Sequence, residues 1–476
     1  MVKSNTTNLI DRTLDNLWKV WDELSISTMN YITGKPNPNL PPEDLERLSI
    51  EIEACITGIG DEASLRSRAA EIGKTYLGLN QKGRGLFIRE LARAFGVDRE
   101  KVDEAISCVL EAGTDDRSRT RAELALKLAL EPRWRALLGR FTTLPEGVKF
   151  LVDMRAAMFP LISKYPDVEN LSNDLRSMLS AWFDIGLLEL VQIQWDSPAS
   201  LLEKLIAYES VHAIRSWDDL KHRLDQDRRC FGFFHPNMPN EPLIFVQVAL
   251  VEGISSNIDY LLDEANTAID PKTADTAIFY SISNAQRGLD GISFGNFLIK
   301  RVVEELRREL PNLKTFSTLS PIPGLSNWIS EHLEDEKIMS LKSSERKTLQ
   351  KYSGGKTDPA LIKDLLPLIR ENSTDHEAPI GAIKKVLIRL AAEFLCNAKG
   401  RNGRAKDPVA HFHLSNGASI ERINWAADNS LRGRKQSFGL MVNYRYNVKD
   451  IEVNSSQYET GSAVARSAAL RSIIRN

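Results

Sequence analysis

The character of the sequence changes near Trp195, and this change restricts the folds that are open to the chain. In residues 1–195 apolar side chains recur at helical spacing, as where Phe87 and Leu91 fall on one helical face. Asp98 is a predicted N-cap between two such helices. No repeat of fixed period runs through this part, which disfavours a solenoid. We therefore predict an all-helical domain here, with packing or oligomerisation as its expected role.

After Trp195, runs of β-forming residues alternate with helical segments. The runs Arg229–His235 and Pro242–Val251 are joined by a turn-rich link and predict an antiparallel hairpin. The other predicted elements are a strand at Thr276–Ile282, a helix at Phe297–Leu310, a strand at Thr315–Leu319 and a helical insert at about 325–400. The predicted fold class is α/β in the α+β sense, in which residues 196–476 form a domain around a mixed, largely antiparallel sheet.

The composition is that of an ordinary globular protein and excludes several classes of function. Of 476 residues, 42% are hydrophobic and 26% are charged. The formal net charge of −2 argues against a dedicated nucleic-acid binder, which carries a basic excess. No apolar run reaches the roughly 18 residues that span a bilayer, and the first residues lack the apolar core of a signal peptide. We therefore predict a cytoplasmic protein with no nucleic-acid or membrane partner.

The cysteines and histidines give no convincing metal site. The four cysteines have no paired spacing, so neither a zinc ribbon nor a disulfide framework is predicted, and Cys108 and Cys396 are expected to be buried in helices. His411 and His413 are two residues apart and would share one face of a predicted strand. A metal would need a third ligand, and none is placed nearby. A single histidine acting as a proton donor is the preferred interpretation.

A glycine-rich run, Gln286–Asn296, lies between a predicted strand and a predicted helix. Its glycines allow tight turns that expose successive N–H groups, and these donors suit a pyrophosphate at the positive end of the helix dipole. Arg287 adds a positive charge. The glycine spacing fits neither the dinucleotide-binding fingerprint nor a P-loop, and an ordinary strand-to-helix turn is the alternative. The run resembles the acyl-CoA loop of GNAT-type acetyltransferases.

The segment Ser320–Gly324, with sequence Ser-Pro-Ile-Pro-Gly, follows a predicted strand. Pro321 and Pro323 fix backbone angles around Ile322, and the glycine permits a sharp exit. The serine is thus held at a strand end by a rigid turn, which suits a catalytic contact because small displacements of a reacting group are costly. A purely structural turn is the alternative interpretation.

Seven segments together resemble the malonyl-CoA decarboxylase family, in that family's order and over about half of the chain. They are Phe279–Ile282, Phe297–Val302, Phe316–Gly324, Phe412–Leu414, Arg422–Trp425, Ser430–Gly433 and Asn443–Tyr446. The resemblance implies an N-terminal helical domain followed by a GNAT-type catalytic domain. It also implies that malonyl-CoA is decarboxylated to acetyl-CoA and CO2.

The resemblance further implies particular site residues. A catalytic serine–histidine pair falls on Ser320 and His413, and Tyr446 matches a tyrosine of the family's site. The malonyl-CoA-binding loop that it implies consists of Asp290, Gly291, Ile292, Ser293, Phe294, Gly295 and Asn296, to which Arg287 adds charge. Animal members have a glutamate where this chain has Ser293, so any role of that carboxylate is absent here or met otherwise. No metal or cofactor is implied, and the expected assembly is a homo-oligomer, either a dimer or a tetramer.

The chemistry of the implied reaction agrees with these residue types. Loss of CO2 leaves negative charge on the thioester oxygen as an enolate, which must be stabilised and then protonated on carbon. Loop N–H groups suit the first task and a protonated His413 suits the second. Ser320 either holds the departing carboxylate or shares the proton, and both roles stay open. Two other functions also stay open: a GNAT-type acyl transferase, and a non-catalytic CoA-sensing protein.

Overall fold

The computed structural model describes residues 17–22, 37–58, 60–113, 115–183, 185–292, 297–371, 377–400, 403–461 and 463–475. The chain divides into two compact units. The helical unit comprises Met1–Glu189, Phe234–Leu243 and Asn284–Ser293, and the sheet unit comprises Leu190–Phe233, Ile244–Ser283 and Phe294–Asn476. In the described part of the chain, every helix is too short or too polar to cross a bilayer.

The helical unit confirms the prediction of an α-helical first part. Its named helices are α1 Pro42–Ile56, α2 Glu62–Gly78, α3 Gln81–Ala94, α4 Arg99–Glu111, α5 Asp116–Ala129, α6 Trp134–Phe141, α7 Gly147–Ile162 and α8 Pro166–Trp182. The predicted N-cap at Asp98 is confirmed, because its carboxylate accepts a hydrogen bond from the Lys101 amide. Asp61 and Asp115 cap α2 and α5 in the same way.

Aromatic side chains form the core of the helical unit. The Trp21 ring lies 4.9 Å from the ring of Phe150, which also contacts Phe141 and Tyr76 edge-on or at a tilt. The contact between Trp21 and Phe150 joins segments more than a hundred residues apart. By contrast, α4 and α5 each bury only one alanine, Ala105 or Ala122. Cys108 on α4 is exposed, so the prediction that it is buried is wrong, whereas Cys396 is buried as expected.

The sheet unit contains an eight-stranded sheet. Its strands are β1 Glu189–Ile193, β2 Arg228–Phe234, β3 Ile244–Val251, β4 Thr276–Asn284, β5 Thr315–Thr318, β6 Ser320–Pro321, β7 Ser419–Asn424 and β8 Met441–Arg445. The order is β1-β2-β3-β4-β5-β8-β6, and β7 also pairs with β8. The predicted β2–β3 hairpin is confirmed as antiparallel, and β4 and β5 run parallel. The sheet is therefore mixed, as predicted.

Helices surround this sheet and supply the predicted insert. They are α9 Ala199–Tyr208, α10 Trp217–His222, α11 Ile258–Leu261, α12 Phe297–Glu309, α13 Leu325–Glu331, α14 Ser343–Leu349, α15 Asp358–Glu371, α16 Glu377–Asn397, α17 Pro408–Ser415, α18 Leu431–Ser437, α19 Ile451–Glu459 and α20 Ala468–Arg475. Helices α13 to α16 occupy the region predicted as a helical insert. A fully buried cluster that includes Ala249, Ile278 and Met441 joins strands β3, β4 and β8.

The prediction that His411 and His413 lie on a strand is wrong, because both lie on α17. Asp407 caps this helix and Pro408 occupies its first turn, which are two strong helix-start signals that the short apolar run concealed. Residues two apart on a helix lie about 200° apart around its axis. Consequently His411 contacts Tyr458 while His413 faces other partners.

Candidate active site

Strand register brings the predicted serine onto the same face as two tyrosines. In β5, Ser317 pairs with Arg445, and in β6, Ser320 pairs with Val442. Both pairs belong to the same antiparallel register, so β5 and β6 follow each other along β8 without a shift. Residues opposite each other share a face, and side chains alternate between faces. Thr318 and Ser320 of β5 and β6 therefore share a face with Tyr444 and the following Tyr446.

The histidine reaches this face from α17. His413 lies in the last turn of that helix, and its ring stacks on the Tyr444 ring with centroids 4.5 Å apart and an angle of 26° between the planes. Its Nε2 lies 3.0 Å from Ser320 Oγ, and its Nδ1 lies 2.8 Å from the Tyr446 hydroxyl oxygen. The structure thus brings Ser320, His413 and Tyr446 into one hydrogen-bonded chain.

All three side chains of this chain are withdrawn from solvent. Ser320 is 5% exposed, His413 is 3% exposed and Tyr446 is 2% exposed. Burial lowers the pKa of His413 to about 3, and it raises the pKa of Tyr446 far above its usual value. Both side chains are therefore neutral around pH 7, so the expectation of a protonated His413 does not fit this state of the protein.

The hydrogen-bond partners determine where the single proton of the neutral imidazole lies. Ser320 Oγ donates its one proton to Thr318 Oγ1, so it can only accept from His413 Nε2, and this leaves Nδ1 as the acceptor for the Tyr446 hydroxyl. The ring proton is then on Nε2 and is donated to Ser320 Oγ. Ser320 in turn donates to Thr318 Oγ1 at 2.8 Å. The chain of donors runs from Tyr446 through His413 and Ser320 to Thr318.

Sequence reasoning missed Thr318 and Tyr444 as contributors to this site, and Asp407 as the cap of the helix that carries His413. Thr318 Oγ1 also accepts the Tyr444 amide, which fixes it as the end of the donor chain. A signal was present for two of the three. Thr318 is two residues before Ser320 and Tyr444 is two residues before Tyr446, so each shares a strand face with a residue that the resemblance indicated.

The described part of the predicted CoA loop belongs to the helical unit. Arg287–Leu289 form a short 3₁₀ turn, and Gly291 has a positive φ of 80° that favours glycine. The Arg155 guanidinium on α7 donates to the carbonyl oxygens of Gly288 and Asp290.

Neighbouring residues also restrict Gly288 and surround the charged side chains of Arg287 and Asp290. A Cβ at Gly288 would lie 1.8 Å from the Val152 carbonyl oxygen, so only glycine fits there. The Arg287 guanidinium lies 5.7 Å from the centre of the Phe159 ring. Burial raises the pKa of Asp290, against the opposing effect of Arg287 and Arg155. Ile292 ends the described part of the loop, and the predicted residues Ser293, Phe294, Gly295 and Asn296 lie outside the described residues.

Neither a metal centre nor a surface groove offers a competing site. Among the described residues, no group of three His, Cys, Asp or Glu side chains could hold a metal ion. A groove of about 450 Å³ in the sheet unit is lined by Leu190, Gln192, Phe231, Arg301, Glu304, Glu305 and Arg308. It contains none of the predicted site residues, and Arg308 is already paired with Glu305. The buried Ser320–His413–Tyr446 chain therefore remains the candidate site.

Comparison with known families identifies the relatives of this chain. The malonyl-CoA decarboxylase N-terminal domain matches residues 95–183, and the malonyl-CoA decarboxylase C-terminal domain matches residues 186–476. The second match alone covers more than half of the chain. The chain belongs to the malonyl-CoA decarboxylase family. The family resemblance inferred from seven short segments is thereby confirmed.

Individual family members agree over most of their length. The mitochondrial malonyl-CoA decarboxylase of Anser anser anser is 40% identical over 406 residues, which is 82% of this chain and 80% of the relative. The mitochondrial malonyl-CoA decarboxylase of Rattus norvegicus is 37% identical over 427 residues, which is 87% of this chain and 86% of the relative. The crystal structure of malonyl-CoA decarboxylase from Rhodopseudomonas palustris matches with a TM-score of 0.79 and 39% identity, over 90% of this chain and 99% of that one. The crystal structure of malonyl-CoA decarboxylase from Agrobacterium vitis matches with a TM-score of 0.79 and 40% identity, over 90% of this chain and 99% of that one.

Proposed function

We propose that this chain decarboxylates malonyl-CoA to acetyl-CoA and CO2. The observation that carries the proposal is the buried hydrogen-bonded chain of Tyr446, His413 and Ser320, in a member of a family whose named enzymes are malonyl-CoA decarboxylases. This reaction needs a proton donor at a fixed position. Here the donor is buried and contacts a serine that a rigid turn holds in place.

The proposed reaction breaks the bond between the carboxylate carbon and C2 of the malonyl group. The electron pair of that bond moves to the thioester carbonyl oxygen, CO2 leaves, and a proton then adds to C2. We assign this proton to Nε2 of neutral His413, while its Nδ1 takes the proton of the Tyr446 hydroxyl, so that the ring stays neutral and the Tyr446 phenolate regains a proton from water when the product leaves. The 3.0 Å contact with Ser320 Oγ favours sharing of the proton over a role for Ser320 in holding the carboxylate alone.

The reaction as proposed requires no resident metal or organic cofactor, since the thioester carbonyl itself accepts the electron pair. Malonyl-CoA is then the substrate and no separate group is bound. Dialysis of the purified protein against EDTA is expected to leave turnover within twofold of the untreated value. A loss that added Zn²⁺ or Mg²⁺ restores would contradict this part of the proposal.

The glycine-rich loop is proposed to bind the CoA part of the substrate. The positive charge of Arg287 and the tight turn at Gly291 support this assignment. Arg155 supports it by holding the carbonyl oxygens of Gly288 and Asp290 in place. Arg155 is thus proposed to shape the loop rather than to touch the substrate.

Self-association through the helical unit is also proposed, as a dimer or tetramer. Helices α4 and α5 expose Leu110 at 76% and Leu128 at 60%, together with Ile106 and Leu124, and such clustered exposed leucines mark interaction surfaces. Light scattering of the purified chain measures the assembly, and Leu110→Glu with Leu128→Glu is expected to reduce it.

Cytoplasmic location stays a prediction that cell fractionation tests, since the goose and rat relatives are named as mitochondrial.

Incubation of the purified protein with malonyl-CoA and no acceptor is the deciding experiment. Release of acetyl-CoA and CO2 in equal amounts is the expected result. An acyl transferase would need an added amine before any CoA product formed, and a CoA-sensing protein would bind malonyl-CoA without consuming it. Either of those two outcomes would overturn the proposed function.

A further inference from the structure

The backbone segments that carry Ser320 and His413 meet at one buried carboxylate. Asp407 lies immediately before α17, where its Oδ1 accepts the Ala410 amide at 2.8 Å as a helix cap. Its Oδ2 accepts the Gly324 amide at 3.3 Å. The first contact belongs to the histidine helix and the second belongs to the turn that begins at the serine.

On the serine side, the contact fixes the far end of a stiff segment. Pro321 and Pro323 restrict the backbone between Ser320 and Gly324, so a fixed position of Gly324 constrains the position of the serine. A Cβ at Gly324 would lie 3.0 Å from Phe394 Cζ and 3.5 Å from Asp407 Oδ2. Because Gly324 has no side chain, the Asp407 carboxylate has enough space to approach the turn.

On the histidine side, the contact fixes the start of a short helix. Helix α17 has eight residues, and helices of this length are not stable by themselves. The Asp407 cap and Pro408 in the first turn define where the helix begins. Because a helix is rigid over two turns, they also define where His413 lies at its other end.

The burial of Asp407 distinguishes it from the other aspartate caps of this protein. Asp98 and Asp115 cap α4 and α5 from partly or fully exposed positions, and each serves one helix. Asp407 is 1% exposed, and in the described chain it forms no ion pair. Burial raises its pKa to about 6, although backbone N–H groups of Ala410, Gly324 and Val409 oppose the rise. A cap alone does not require this costly burial, whereas a link between two buried segments does.

We propose that Asp407 is a positioning residue that sets the distance between Ser320 and His413 by holding both backbone segments. The inference rests on the proposed function, in which these two side chains share the transferred proton. Asp407 does not touch the substrate, and it acts through the segments that it joins. Loss of the link is expected to lower kcat and to leave KM nearly unchanged, because displacement of a reacting group by about 1 Å costs on the order of 100-fold in rate.

The variants Asp407→Asn and Asp407→Ser test this role. Asparagine keeps the size of the side chain and remains a good cap, but its NH2 group cannot accept the second N–H. Serine keeps the cap and is too short to reach Gly324. Both variants are expected to lower kcat by ~10- to 100-fold with KM within about twofold of the wild-type value. Asp115→Asn, at a cap in the helical unit, is the matched control and is expected to leave both constants unchanged.

Hydrogen–deuterium exchange supplies a readout that does not depend on activity. In Asp407→Asn, peptides covering 320–324 and 408–415 are expected to exchange faster than in the wild type, while those of α5 do not change. The proposal is overturned if kcat stays within twofold of wild type, or if kcat falls while exchange in 320–324 is unaltered. A wild-type protein that does not turn over malonyl-CoA contradicts the proposed function instead, and exchange then tests the link alone.

Discussion

The Ser320–His413 site and the glycine-rich loop are positioned by different kinds of interaction. Backbone pairing holds the first, since one continuous register of β5 and β6 against β8 places Thr318, Ser320 and the tyrosines on a common face. A side chain holds the described part of the second, where Arg155 reaches the carbonyl oxygens of Gly288 and Asp290. Backbone pairing between strands is kept when a side chain is replaced. A change in turnover of a variant at the Ser320–His413 site is therefore attributed to the lost chemical group. Variants around the loop report on shape.

Substitution of the proposed catalytic pair, Ser320 and His413, is expected to give the largest effect. His413→Ala and Ser320→Ala each should lower kcat by ~1,000-fold or more, because the proton donor or its partner is removed while the strand ladder remains. Acetyl-CoA release from malonyl-CoA measures this. His411→Gln, on the same helix but directed at Tyr458, is the control and should retain wild-type turnover. Undiminished turnover in either catalytic variant would remove that residue from the proposed pair.

Removal of the Tyr446 hydroxyl is expected to have the next largest effect. In Tyr446→Phe the His413 Nδ1 loses its donor, so the imidazole proton is free to move to that nitrogen and leave Nε2 without one. We expect kcat to fall by ~10- to 100-fold with little change in KM. Nitrogen NMR of the histidine ring should show the change of tautomer. An unchanged tautomer together with an unchanged kcat would contradict the assigned direction of the donor chain.

Acid is expected to destabilise the protein through His413. The native pKa is about 3, whereas the unfolded side chain titrates near its usual 6.5, so only the unfolded state takes up the proton as pH falls below that value. From about pH 7.5 to about pH 5 this lowers the free energy of unfolding by ~2 kcal/mol. Asp407 acts with the opposite sign, because its raised pKa lets the native state take up a proton first as pH falls through about 6.

Comparison of wild type with His413→Gln isolates the contribution of the histidine, since Asp407 is common to both proteins. Urea unfolding at the two pH values should show a smaller acid loss in the variant. His411→Gln, at a partly exposed position of the same helix, should retain most of the wild-type loss. An equal acid loss in wild type and His413→Gln would mean that the buried imidazole is not the group responsible.

Loosening of the loop is expected to give the smallest effect on turnover. Arg155→Met keeps an unbranched side chain but leaves the Gly288 and Asp290 carbonyl oxygens without this donor. We expect KM for malonyl-CoA to rise by ~10-fold while kcat stays within about threefold, because remote binding is weakened and the chemistry is not. Arg89→Met is the control, since the Arg89 guanidinium lies over the Tyr165 ring, 4.1 Å from its centre. A fall in kcat with KM unchanged would contradict the expected difference between the glycine-rich loop and the Ser320–His413 site.

Sequence reasoning succeeded where the signal was local. The β2–β3 hairpin, the helical first part and the cap at Asp98 all follow from residue patterns within a few positions of each element. It failed at His413, where a short apolar run suggested a strand and the Asp407–Pro408 helix start was overlooked. It also missed Thr318 and Tyr444, whose roles depend on contacts across more than a hundred residues of sequence.

The sequence by itself determined the family, the helical first part, the β2–β3 hairpin and the rigid turn that begins at Ser320, because each depends on residues that are close together in the chain. Only the tertiary structure decided that Tyr446 and Ser320 lie on either side of His413, and that Asp407 contacts the segments that carry Ser320 and His413. The physical reason is that these contacts depend on the register of β8 against β5 and β6 and on the burial of α17 over that face. The same burial makes His413 neutral, a property that no pattern of residue types reveals.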